Sequence, residues 1–185
     1  MSATDKSQQE LVEGVRAGKR TALKAIYCKY YPDLCGFAAS YVTSKRRGRE
    51  VVQEVFLEIW ERRESWKVSG SLKSYLFQAV RNRALNFLRT EKNRYGLKQK
   101  LKHTVPTRRL RTAEDNLCYD ELSDAIEEAV EQLSPRRREA FTLHRQHGLT
   151  YKEIAEVMEI SPKTVENHIG RALKSLREML SPEFI

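Results

Sequence analysis

Between Leu149 and Leu180 the chain reads LTYKEIAEVMEISPKTVENHIGRALKSLREML, and its second half gathers Lys163, Thr164, Glu166, Asn167, Gly170, Arg171 and Lys174 at helical spacing. That spacing puts them on one face. Their chemistry is that of reading and holding a nucleic acid. An asparagine amide can pair with an adenine edge, an arginine fork with guanine and a carboxylate with the cytosine amine, while lysine and threonine take phosphate oxygens. His144 and His147 form an H-x-x-H pair, but no third histidine or nearby cysteine completes a zinc set, so no metal is expected. No glycine-rich phosphate loop, nucleophile with a plausible base or inward carboxylate pair is visible; neither a cofactor nor enzymatic activity is expected.

The elements that must hold this face are legible on either side of it. Thr150 with Glu153 three residues on is a capping box, and the helix it starts turns Ile154, Ala155 and Met158 inward. A short turn follows. Ser161 then supplies a cap and Pro162 a first helical residue that has no amide to waste. The small Ala155 permits a close crossing of the two helices, with Ile160 and Val165 as the apolar plug between them. The pattern is a helix-turn-helix whose second helix is the reader. A solvated polar face on a purely structural helix pair is the weaker alternative.

The rest of the chain agrees with a polyanionic partner. Of 185 residues, 34 are Lys or Arg against 25 Asp or Glu, a formal net charge of +9. Three cysteines, Cys28, Cys35 and Cys118, form no C-x-x-C pair, so a reducing compartment is expected, with Cys28 and Cys35 as small core residues. The opening MSATDKSQQE is too polar for a signal peptide, and no apolar run approaches the ~18 residues of a bilayer span; a soluble, cytoplasmic protein is expected.

Apolar residues recur at three and four rather than two, which predicts an all-helical fold. Thr21 is placed to cap a long helix burying Leu23, Ile26, Tyr27 and Tyr30, which continues past Pro32 as Leu34, Phe37, Ala38 and Tyr41. A second amphipathic helix carries Val51, Val52, Val55, Phe56, Ile59 and Trp60. A third runs from about Leu72 with Leu76, Ala79, Val80, Ala84, Phe87 and Leu88 inward. From Glu91 to Thr112 eight cations meet a single acid, a composition that cannot bury a core and predicts a flexible linker. The charge then reverses from Glu114 to Glu131 along a helix with Leu117, Leu122, Ile126 and Val130 apolar. The expected organisation is an N-terminal segment 1–20, a bundle 21–95, a linker 96–120 and a second bundle 121–181.

Leu133 to Leu180 resembles region four of the extracytoplasmic-function (ECF) sigma factors, the module that binds the minus-thirty-five promoter element. The same motif alone is similar to the DNA-binding domain of LuxR-type regulators. Residues Leu23 to Asn93, with IYCKYYPDLCGFAASYV, VVQEVFLEIWE and SLKSYLFQAVRNRALNFLRTEKN, resolve that ambiguity by resembling sigma region two, in the form common in Bacteroidetes. The resemblance implies a sigma factor of two small helical bundles, region two and region four, joined by a flexible linker. It implies that Gln53, Glu54, Glu58 and Trp60, with Phe56 partly buried behind them, dock on the clamp coiled coil of core RNA polymerase. It assigns the melted minus-ten strand to a loop and following helix bearing Lys67, Ser69, Ser71, Lys73, Arg81, Asn82, Asn86 and Arg89, with Trp66 and Tyr75 more plausible as core than as stacking platforms. It assigns the minus-thirty-five duplex to Lys163, Thr164, Glu166, Asn167, Gly170, Arg171 and Lys174. It also implies an anti-sigma partner, often membrane-anchored, and no obligate homo-oligomer. One departure is plain: where the family has an acidic stretch before the docking helix, this chain has Ser44, Lys45, Arg46, Arg47, Gly48, Arg49 and Glu50. Two rivals remain at this level, an autonomous dimeric helix-turn-helix regulator and an adaptor that binds only proteins.

Overall fold

The structure is a computed structural model that describes the backbone of residues 3–95 and 117–180, and side chains over 7–91 and 125–180. Among these residues every regular element is a helix, and the chain divides into two compact units between residues 103 and 104. In the first unit α1 spans Ala3–Arg16, α2 Arg20–Val42, α3 Lys45–Glu61 and α4 Leu72–Tyr95, with a single 3-10 turn at Arg63–Ser65. In the second, α5 spans Leu117–Gln132, α6 Pro135–Arg145, α7 Tyr151–Met158 and α8 Pro162–Leu180.

Residues 1–20, expected only as a segment preceding the first bundle, contain α1. It packs on α2 through buried Val15, with Gly14 so close that an added Cβ would lie 2.8 Å from the Ala22 Cβ. Gly18, at φ +75°, ends α1, and the Lys19 amide donates back to the Gly14 carbonyl at 2.9 Å. That turn displaces the expected cap. Lys19 is the N-cap of α2, without a side-chain bond, and Thr21 lies inside the helix.

The apolar stripes otherwise meet, although Leu23, Tyr27, Tyr41, Trp60, Ala79, Phe87 and Leu88, all expected on them, are only half-buried. Leu34, Phe37 and Ala38 of α2, Val51, Val52, Val55 and Ile59 of α3, and Leu76, Phe77, Val80 and Ala84 of α4 form one core. Its aromatics are in ring contact, Phe37 tilted against Phe77 at 5.0 Å and Tyr27 edge-on to Phe56 at 5.0 Å. Two further expectations fail on α2: Cys28 is exposed and Cys35 only half-buried, because Ile26, Tyr30, Leu34 and Phe37 occupy the core stripe. The side chain of Cys118 lies outside the described residues.

In the second unit Val130, Leu133, Leu143, Leu149, Ile154, Val157, Val165, Ile169 and Ala172 are buried. Ile126, one of the apolar residues of α5, is exposed. Arg138 is buried beneath the end of α5, where its guanidinium donates to the carbonyls of Val130 and Leu133, both at 3.1 Å, and of Glu131. It therefore satisfies acceptors that a helix end leaves open. The segment expected as linker, 96–120, lies outside the described residues except for 117–120, which are the first turn of α5.

Gly48 sets how closely α3 approaches α2. A Cβ there would lie 2.8 Å from the Ala39 nitrogen and 3.0 Å from its Cα, backbone atoms that move only if the helices part. Gly48→Ala gains about 1 kcal/mol of helix propensity, but overpacking costs about 1–3 kcal/mol. The expected outcome is a lower urea midpoint for Gly48→Ala and a lower one still for Gly48→Val, with an unchanged or raised midpoint contradicting the close crossing.

Candidate nucleic-acid interface

Helix α8 is held from both ends of the turn before it. Thr150 Oγ1 accepts from the Glu153 amide at 3.3 Å while Glu153 Oε2 accepts from the Thr150 amide at 2.9 Å, completing the capping box. Glu159, at φ 57°, closes α7, and the Ile160 amide returns to the Ala155 carbonyl at 3.0 Å. Ser161 Oγ then accepts from the Thr164 amide at 3.1 Å. With Val165 and Ile169 buried against α7, the register of α8 is fixed, and Lys163, Glu166, Asn167, Gly170, Arg171 and Lys174 are all exposed.

Thr164 differs from the rest. It is half-buried, and its hydroxyl is 2.8 Å from Ser161 Oγ, so it works within the cap. The Lys163 ammonium is 3.0 Å from Glu166, and that of Lys174 is 3.8 Å from Glu178. Such exposed pairs are worth little and open readily to a phosphate. Gly170 leaves a gap in this row of side chains, for nothing in the unit lies within 4 Å of where its Cβ would be.

Two histidines of the second unit have defined surroundings. His144 Nδ1 is 2.9 Å from the Leu149 carbonyl and so ties the turn before α7; among the described residues no cluster could hold a metal ion. His168 is half-buried on α8. Burial and the charges of Arg136, Arg137 and Arg171 hold its imidazole below the ordinary range, with Glu139 opposing them.

In the first unit, the loop between α3 and α4 and the flanking helices enclose an open groove of about 650 Å³, lined by Glu58 of α3 and its C-cap Arg62, Trp66 and Lys67 of the loop, and Asn82, Arg83 and Asn86 of α4, among others. The groove thus brings together Lys67, Asn82 and Asn86 of the expected strand-binding residues. Ser69 is exposed, and Arg89 is exposed farther along α4. Ser71 is committed elsewhere: its hydroxyl accepts from the Ser74 amide at 3.0 Å as the cap of α4. Lys73 and Gln78 are half-buried.

Arg81, expected on the outward face, is 6% exposed and corrects that placement. Four residues after Phe77 and three before Ala84, it belongs to the buried stripe of α4. Trp66 is also buried, edge-on to Tyr75 at 5.9 Å, and among the described residues its Nε1 finds no hydrogen-bond acceptor.

On α3 the outward residues are Gln53, Glu54, Leu57 and Glu58, with Trp60 half-buried under the Arg63 guanidinium at 4.9 Å and Phe56 buried. Glu54 pairs with Arg83 at 2.6 Å and Glu58 with Arg62 at 3.2 Å. Leu57, 56% exposed among these polar neighbours, was missed: it falls outside the apolar stripe, and its residue type does not draw attention on a polar face. Arg62 and Arg83 were missed as well; Arg83 reaches Glu54 across 29 residues of sequence, which no local spacing reveals. The basic stretch, expected before the docking helix, instead forms the first turns of α3 behind the Ser44 cap, and it is partly explained: Arg47 pairs with Glu91 at 3.1 Å and lies 5.0 Å from the Phe87 ring, while Arg46 pairs with Glu50 at 3.1 Å.

Comparison with known proteins gives two family matches in the order of the two units. Residues 26–94 match the model "Sigma-70 region 2", and residues 123–176 match "Sigma-70, region 4". The chain is 27% identical over 183 residues to the ECF RNA polymerase sigma-E factor of Haemophilus influenzae, covering 95% of this chain and 96% of that protein. It is 24% identical to the RNA polymerase sigma-H factor of Pseudomonas aeruginosa, covering 97% and 96% respectively. In fold it is similar to the sigma factor RpoE of Bartonella quintana, solved with the anti-sigma factor NepR, at a TM-score of 0.65 and 22% identity over 86% of this chain and 97% of that one.

The lowered value for His168 fixes a sign. The unfolded chain takes up the proton first, so the contribution to stability is full above the ordinary histidine value of about 6.5 and is lost as pH falls through it toward the folded value. Unfolding free energy is expected to drop on acidification from about pH 7 to about pH 5, and His168→Gln is expected to make that drop shallower. Parallel pH profiles for the two proteins would contradict the assignment.

Proposed function

The chain belongs to the extracytoplasmic-function branch of the sigma-70 family, a promoter-directing transcription initiation factor with no enzymatic activity of its own, and we propose how its surfaces divide that work. The outward face of α3, with Gln53, Glu54, Glu58 and Trp60, docks on the clamp of core RNA polymerase. Leu57 is the apolar anchor at its centre, a residue type that loses water on docking while the acids around it set orientation. The groove at Lys67, Asn82 and Asn86, with Ser69 and Arg89 beside it, receives the melted minus-ten strand; amides hydrogen-bond an unpaired base and the cations hold its backbone. Helix α8 lies in the major groove of the minus-thirty-five element with Glu166, Asn167 and Arg171 at base edges and Lys163 and Lys174 on phosphates.

The observation that carries this reading is the doubly capped turn, Thr150 with Glu153 and Ser161 with Thr164, that locks α8 with Asn167, Gly170 and Arg171 outward. On the same reading, 96–120 tethers the two modules through the polymerase. The protein works in the cytoplasm, without an obligate homo-oligomer, and is of the form common in Bacteroidetes. Among the described residues no helix is long and apolar enough to cross a membrane. An anti-sigma factor, of the kind bound to the Bartonella quintana RpoE, holds it inactive until a signal arrives.

Reconstituted holoenzyme tests the division of labour. Leu57→Asp is expected to weaken association with core polymerase by roughly 30-fold, the scale of one buried anchor, and to leave the thermal stability of the exposed site unchanged. Asn167→Ala is expected to cost about 1–3 kcal/mol at one base position and relax the preference there. Lys163→Ala is expected to weaken all duplexes alike and reduce the salt slope by about one. Footprints in which the Asn167 and Lys163 variants behave identically would overturn the assignment of α8.

A further inference from the structure

Helix α1 touches both ends of the loop that opens the groove. At the far end, the Leu72 amide, in the first turn of α4, donates to Gln8 Oε1 at 3.4 Å across 64 residues of sequence. At the near end, α1 packs beside the 3-10 turn Arg63–Ser65, and a Cβ on Gly18 in the turn after α1 would lie 3.8 Å from Arg63 Nε. The six residues 66–71 therefore span two points that one helix braces.

The bond at the far end has a defined job. The first turn of a helix has amides with no partner inside the helix. In α4, Ser71 Oγ accepts from the Ser74 amide at 3.0 Å, and Gln8 accepts from Leu72. Together they fix where α4 begins, and with it the direction in which the chain leaves Gly70, whose φ of +77° makes the preceding bend. Lys67 and Ser69 ride on that backbone, and Asn82 and Asn86 ride on α4.

Gln8 is half-buried and reaches the loop from an element none of whose described residues lines the groove. We infer that Gln8 is a positioning residue for promoter opening: by accepting from the Leu72 amide it holds the loop 66–71 in the form that captures the unpaired strand. This rests on the proposed reading of the groove. A loop already ordered gives up less conformational freedom when a base enters, so the gain appears in strand capture and not in docking to polymerase.

The test uses holoenzyme and two promoter probes, a single-stranded oligonucleotide carrying the minus-ten element and a duplex carrying only the minus-thirty-five element. Gln8→Met keeps the length of the side chain and removes the acceptor. It is expected to weaken single-strand capture roughly fivefold, the scale of one net hydrogen bond, with core association and duplex binding unchanged. Gln8→Glu keeps the acceptor and places a negative charge at a helix N-terminus, which favours it; it is expected to restore wild-type capture or exceed it. If wild-type holoenzyme captures the strand and the Met variant matches it, the role of Gln8 is refuted while the groove stands. A Met variant that loses core association in the same proportion shows a general structural role and also refutes it. If wild-type holoenzyme shows no preference for the opened strand, the reading of the groove falls and this inference with it.

Discussion

A helical unit this small has apolar surface for one core, and what it presents to a partner follows from which stripe of each helix that core consumes. In α3 the stripe is Val51, Val52, Val55, Phe56 and Ile59, so Gln53, Glu54, Leu57 and Glu58 have to face out. In α8 it is Val165, Ile169, Ala172 and Leu176, which turns Asn167, Gly170, Arg171 and Lys174 to solvent. Close approach at Gly48 and the fixed turn before α8 remove the rotational freedom that would blur these faces. Position, and not an unusual reactive group, is what this protein brings to its partners.

The charges divide accordingly. On the outward faces of the helices, Glu54 with Arg83, Glu58 with Arg62, and Lys163 with Glu166 form exposed pairs that add little stability. They keep side chains extended and part easily when a better counter-charge arrives. Arg138 is the opposite case. Buried and donating to three carbonyls, it is withdrawn from any partner and serves to join the end of α5 to α6. Neither count of charges nor net charge separates these roles; burial does.

Much of this was legible in the sequence because the signals are local. The capping box at Thr150 and Glu153, the serine-proline start of α8 and the apolar periodicity of α2, α3 and α4 each depend on residues a few positions apart. What was not legible depends on distance in sequence or on context. The polar start of the chain gave no hint that α1 would fold on α2, since its burial rests mainly on Val15 and on the space left by Gly14. Arg81 carries a charge and so looked outward, yet helical phase places it with Phe77 and Ala84. Ser71 had the right chemistry for a base edge, but a serine at a helix start is first a cap. Leu57 is the reverse, an apolar residue on a polar face whose meaning is external to the fold.

The measurement closest to the central claim is run-off transcription by purified core polymerase on fragmented genomic DNA of the source organism, with and without this protein. Addition is expected to concentrate initiation at a small set of start sites that share two upstream elements at constant spacing. Unchanged start sites, or sites sharing no such pair, would contradict the account of two helical units that read one promoter together.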